Sequence, residues 1–252
     1  LIGARHGGAV SSFARVSTWA LGAMRVMSAA LYTAVLASIS VLEAGVIGAI
    51  NLPVIAGIVW LMSGQHPNRR AWMGHALLLA AIVAMSSQIE SDLRGLVLSL
   101  MILNALCLSA MNLIAERHPE NTSPSLAARA WFTGVVLVVT AGLFAAIRVT
   151  QGGGVSDMLD PALIWTSICV GVLLRAPSMF LTFSAIRAAG AQNYTAAIAF
   201  LPLFGMVLEQ ASLALGLLNQ SRFQTANVYI ALMALIGTLI VWFAKRPLEH
   251  VR

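Results

Sequence analysis

Two arginines stand inside stretches long enough and apolar enough to cross a bilayer: Arg25 in Met24-Arg-Val-Met-Ser28, and Arg175 in Leu174-Arg-Ala-Pro-Ser178. Both open the pattern Arg-x-x-Ser-x-x-Leu, which runs Arg25–Ser28–Leu31 and recurs as Arg175–Ser178–Leu181. A charge within a membrane span costs a few kcal/mol on insertion scales, so it ordinarily faces a cavity and does a job there. A guanidinium offers a planar fork that matches carboxylate or phosphate. The repeated motif therefore points to an anion-binding site near the bilayer midplane, against the plainer reading of a structural ion pair or carbonyl clamp between helices.

Other residues could share that site. Ser28 and Ser178 follow their arginines by one turn, and read either as ligand contacts or as ordinary helix–helix contacts. Glu209 is the acid read as deep within a span, two turns beyond Pro202; it could pair with Arg175, carry a coupling proton or hold a cationic group. Two arginines against one glutamate leave the cavity net positive, which favours an anionic or zwitterionic substrate. Asn51, two residues before Pro53, is polar at the repeat interface and could bind substrate. Pro53, Pro177 and Pro202 each remove a helix hydrogen bond and free carbonyls in the membrane, predicting kinks that permit rocking. Asn104 and Asn112 share one helix face and fit interhelical hydrogen bonds. The triplets at Asn121, Asn193 and Asn219 read as chance matches to the glycosylation pattern. No nucleotide-binding loop, metal-spaced His/Cys cluster or nucleophile elbow is present, so neither cofactor nor catalytic residue is expected and an enzyme is not.

The elements that must carry these residues follow from composition. Apolar residues make up 59% of the 252 and charged residues 10%, with mean hydropathy +0.87, whereas soluble domains carry roughly a quarter charged residues. The chain reads as an all-α polytopic membrane protein, with the bilayer as its surroundings and no nucleic-acid partner despite the net charge of +6. Eight spans are drawn at 17–40, 44–62, 71–87, 95–115, 127–147, 162–186, 194–218 and 226–244. With the N-terminus inside, the inner segments hold ten Lys and Arg and the outer loops three, Arg94, Arg148 and Arg222. This bias predicts a multi-pass protein of the cell inner (plasma) membrane with both termini cytoplasmic. Cys107 and Cys169 fall within spans and imply no disulfide framework.

Arg25 recurs 150 residues later and Pro53 recurs after 149, as Pro202. The stretch 17–87 thus resembles 163–244, and an odd number of crossings between them inverts the second copy. Inverted repeats are the signature of secondary transporters. The division predicted is a partial first repeat of three helices at 1–94 and a second of five at 95–252. A five-span unit would place two further spans ahead of the first copy.

The proline-centred spans Leu52-Pro-Val-Ile-Ala-Gly and Leu201-Pro-Leu-Phe-Gly-Met, each followed by a Gly/Ala-rich span (Trp72-Met-Gly-His-Ala and Tyr229-Ile-Ala-Leu-Met-Ala), resemble the drug/metabolite transporter superfamily, EamA type. The resemblance covers nearly the whole chain. It implies a ten-helix bundle of two inverted five-helix repeats, of which this chain supplies helices three to ten, with the arginine-bearing helices lining the central cavity. The Leu-Gly-Glu that often ends the family's proline-centred span is absent: Ser63-Gly-Gln65 and Gly216-Leu-Leu-Asn219 stand there, marking a divergent branch. The implied function is a secondary permease or exporter of a small polar metabolite. A non-transporting membrane scaffold and a flippase for a lipid-linked phosphate are the alternatives. Beyond the substrate, a homodimer and a membrane-complex subunit are both open.

Overall fold

The computed structural model describes residues 9–64, 66–152, 154, 160–217 and 225–244. The described residues form helices and no strand: α1 Ala9–Ala14, α2 Val16–Ser38, α3 Val41–Gly48, α4 Asn51–Ser63, α5 Arg69–Ser87, α6 Ser91–Arg117, α7 Pro119–Thr122, α8 Leu126–Thr150, α9 Pro161–Val170, a π-helical turn at Gly171–Arg175, α10 Ala176–Ala189, α11 Ala191–Ile198, α12 Leu201–Ala214 and α13 Thr225–Ala244. Seven helical segments among them are long and apolar enough to cross a membrane. Large apolar side chains stand bare along these segments, Leu61 at 85% and Leu173 at 70% exposure, and such surface belongs in lipid. The chain is an all-α, multi-pass membrane protein.

Among the described residues the stretch drawn at 194–218, divided into α11 and α12, is not one of these seven segments. The stretch drawn at 44–62 is broken in the same way, into α3 and α4. Each break is a two-residue turn, Ala49–Ile50 and Ala199–Phe200, and every boundary around the first recurs 150 residues on: Val41 with Ala191, Gly48 with Ile198, Asn51 with Leu201. Proline causes both. Pro53 has no N–H to give the Ala49 carbonyl, which accepts from Leu52 N at 3.0 Å in a tighter turn, while Ile50 N donates to Ile47 O at 3.1 Å. Proline thus divides these spans outright where a kink was expected. Pro177 acts differently. With its N–H missing, the preceding turn widens, and Ala176 N donates back five residues to Gly171 O, closing the π turn that ends at Arg175.

Helix ends are set by short side chains. Ser40 and Glu43 form a capping box at α3: Ser40 N donates to Glu43 Oε2 at 2.8 Å and Glu43 N to Ser40 Oγ at 3.3 Å. Asn68 caps α5 by accepting from Ala71 N at 2.8 Å. Arg94 closes the other end, donating to the carbonyls of Ser86, Ile89 and Ser87 at 2.9, 3.1 and 3.2 Å. Gly64, at φ +68°, supplies the left-handed residue after α4.

The chain divides into two compact units, one of residues 1–27 and 110–191, the other of 28–109 and 192–252. In the first, Phe132 and Phe183 are buried with ring centroids 4.9 Å apart, and His118 stacks on Phe132 at 4.3 Å. Asn121, 1% exposed, ties two elements together by donating to the carbonyls of Ala115 at 2.8 Å and Phe183 at 3.2 Å.

In the second unit, the core runs through Leu42, Ile47, Leu52, Leu78, Met85 and Met101 and takes in Ala231, Ala234 and Val241 of α13. Here α5 and α13 pack antiparallel. Asn68, before α5, donates its Nδ2 to the carbonyl of Ala244, the last residue of α13. Gly74 meets Gly237 and Val241, and Leu78 meets Gly237.

Candidate functional site

The second unit holds both broken spans, and they touch. A Cβ on Gly45 of α3 would lie 2.7 Å from Pro202 Cγ, at the start of α12, and Val41 Cγ1 lies 3.7 Å from the Cβ position of Gly205. Glycine at position 45 lets the first half-helix of one broken span reach the proline that breaks the other. Asn51 sits at the first break as the opening residue of α4. It is half-buried, and its Oδ1 is sealed from solvent without a hydrogen-bond partner. An unmet buried acceptor costs about 1–3 kcal/mol.

Ser28, 9% exposed, donates to Asn104 Oδ1 at 2.7 Å, joining α2 to α6. Its hydroxyl is thereby committed to a helix–helix contact, the plainer of its two expected roles, and Asn104 makes the interhelical bond expected of it. Two residues that sequence reasoning passed over also bear on this unit. Glu43 is an acid one residue outside the span drawn for it, and Asn227 Nδ2 lies 3.5 Å from its Oε1, with Asn227 Oδ1 buried and unpartnered. The spacing Ser40-x-x-Glu43 is the signal that could have found Glu43.

Arg25 and Arg175 both belong to the first unit. Arg25 is half-buried and engaged within the protein. Arg175 closes the π turn and is exposed, and Ser178 Oγ, also exposed, donates to the Arg175 carbonyl at 3.1 Å. The twin motifs therefore occupy different surroundings. Glu209 lies on α12, and its side chain falls outside the described residues.

One further polar cluster lies at the α6–α7 junction. His118 is 1% exposed. Its Nδ1 accepts from Glu120 N at 3.4 Å, which leaves the proton on Nε2 to donate to Thr18 Oγ1 at 3.3 Å. Burial, with the Arg15 charge adding to it, lowers the imidazole's pKa to about 4, so it is neutral at pH 7. Glu120 accepts from Ser12 Oγ at 2.6 Å and pairs with Arg15 at 3.7 Å, while Trp131 Nε1 donates to Ser12 Oγ at 3.1 Å. This cluster fastens α1, α2, α7 and α8 at one end of their unit. Its hydrogen bonds are local and saturating at His118, and suit anchoring rather than chemistry.

No family model matches this chain, and no curated protein matches it in sequence.

Proposed function

We propose that the protein is a secondary-active permease for a small polar metabolite, anionic or zwitterionic, working by alternating access. The observation that carries this reading is the pair of broken spans with the same boundaries 150 residues apart, meeting at Gly45 and Pro202. Interrupted helices at corresponding positions of two halves are where transporters of inverted-repeat design hold substrate, because half-helix ends and freed carbonyls supply polar groups inside the membrane. Asn51 is the side chain offered there.

The antiparallel course of α5 and α13, the third span of each copy, supports the inversion. The bond from Asn68 to Ala244 puts the start of one and the end of the other at the same membrane face. Arg69 and Arg70 begin α5, and Lys245 and Arg246 follow α13 in sequence, which supports a cytoplasmic assignment for that face and for the C-terminus. The substrate's sign is carried over from the sequence alone, in which two arginines, Arg25 and Arg175, stand within spans against one glutamate, Glu209.

Thermal unfolding of the purified protein across a panel of metabolites tests the reading. A bound substrate stabilises the state it binds by mass action. Anionic or zwitterionic compounds should raise the midpoint, and Asn51→Leu should abolish the shift. Stabilisation by cationic compounds alone would overturn the assigned charge.

A further inference from the structure

The corner between α4 and α5 carries positive charge that nothing on it balances. Arg69 and Arg70 open α5, both side chains are exposed, and no acid stands in the first turn of that helix. Cations there face the positive end of the helix dipole, so helix stability would place them elsewhere. Neither is in an ion pair: among the described residues the pair found is Arg15 with Glu120, in the other unit. Three aromatic rings brace the same corner. Trp60, in the last turn of α4, meets Trp72 edge-on with centroids 6.1 Å apart and lies 4.9 Å from the His66 ring. The turn is pinned as well, because the Asn68 amide accepts from Ala71 N through its oxygen and donates to the Ala244 carbonyl through its nitrogen. From Ala244 the chain continues with Lys245 and Arg246. The side chains flanking the arginines and rings in sequence are apolar and bare, with Leu61 85%, Met62 55%, Met73 67% and Trp72 51% exposed.

We propose that this corner binds one anionic phospholipid, its phosphate held by Arg69 and Arg70, its glycerol level with Trp60 and Trp72, and its acyl chains on the bare apolar side chains beside them. A guanidinium fork matches phosphate, and indole rings settle at the level of the headgroups. A basic residue next to a span gains about fivefold in affinity for anionic lipid. The apolar flank selects lipid over other anions: inorganic phosphate, or an acidic peptide arriving from water, would leave Leu61, Met62 and Met73 uncovered. A second copy seated on the same corner would bring four unpaired arginines together. The braced rings stand in place before any lipid arrives, so little ordering opposes binding. The inference rests on the membrane character of the chain and not on transport.

Thermal unfolding of the purified full chain in detergent tests it, with phosphatidylglycerol or phosphatidylcholine added. Phosphatidylglycerol should raise the midpoint saturably, and phosphatidylcholine at the same concentration should raise it less. In the double variant Arg69→Gln with Arg70→Gln the extra rise should vanish, and the dissociation constant for phosphatidylglycerol, read by native mass spectrometry, should increase about 25-fold. With phosphatidylcholine alone that variant should unfold no earlier than the wild type, since two like charges have left the positive end of α5. Arg117→Gln with Arg187→Gln removes the same charge from exposed positions of the other unit and should keep the extra rise. Equal rises with the two lipids, an extra rise kept in the first variant or lost alike in the second, or the whole effect reproduced by inorganic phosphate would each overturn the proposal. Earlier unfolding of the first variant in phosphatidylcholine would overturn it too, because the arginines would then be structural. Its failure would leave metabolite stabilisation through Asn51 untouched.

Discussion

Gly74 and Gly237 pack backbone to backbone. A Cβ on Gly74 would lie 2.7 Å from the Gly237 carbonyl oxygen, and one on Gly237 would lie 2.9 Å from that of Gly74. The contact is reciprocal. Without a hydrophobic drive between helices in lipid, such close approach through small residues is what holds them.

Gly74→Ala therefore places a methyl against a backbone that cannot move aside cheaply. It should destabilise by about 1–3 kcal/mol. Gly57→Ala, on α4 with nothing within 4 Å of the new methyl, should instead stabilise by about 0.5–1 kcal/mol. Denaturant titration of the detergent-solubilised variants checks both signs. Equal effects would remove the glycine contact from the account.

His118 sets an acid limit. Its folded pKa, about 4, lies below the unfolded value of 6.5, so the unfolded chain binds more protons between those two pH values. The stabilisation is complete above pH 6.5 and is lost as pH falls toward 4, at about 2–4 kcal/mol in all. A pH series of thermal midpoints on wild type and His118→Gln should show the slope in the first and a flatter course in the second.

Asn51→Leu separates function from stability. Replacing an unpartnered buried acceptor by an apolar group of similar size is neutral or stabilising. The unfolding midpoint should hold or rise while uptake falls tenfold or more. A variant that loses stability and keeps transport would make Asn51 a structural residue.

Topology is checked by cysteine labelling in a background with Cys107 and Cys169 replaced. Cysteines at Arg69 and Arg117 should react from the cytoplasm, and those at Asp92 and Asp160 from outside. Asp160 reacting from the cytoplasm would break the inversion between copies.

Much of this was legible in the residues. The eight stretches drawn correspond to the helices found, because long apolar runs between charged loops leave little choice in a bilayer. That Pro53 and Pro202 divide their spans was half-visible: proline's missing N–H is local and does not by itself say whether a helix kinks or parts. Glu43 was hidden by an edge drawn one residue late. The unequal cover of Arg25-x-x-Ser28 and Arg175-x-x-Ser178 could not be read from the motif, since identical residues take their burial from helices distant in sequence. The same holds for Asn104, whose bond to Ser28 spans 76 residues.

Counterflow in proteoliposomes tests the central claim most directly. Vesicles holding the purified chain are loaded with an unlabelled metabolite and diluted into a trace of the labelled one, with no ATP. The account predicts transient accumulation of at least one anionic or zwitterionic metabolite, abolished in vesicles carrying Asn51→Leu. Exchange of cationic compounds only, or accumulation unchanged by Asn51→Leu, would contradict it.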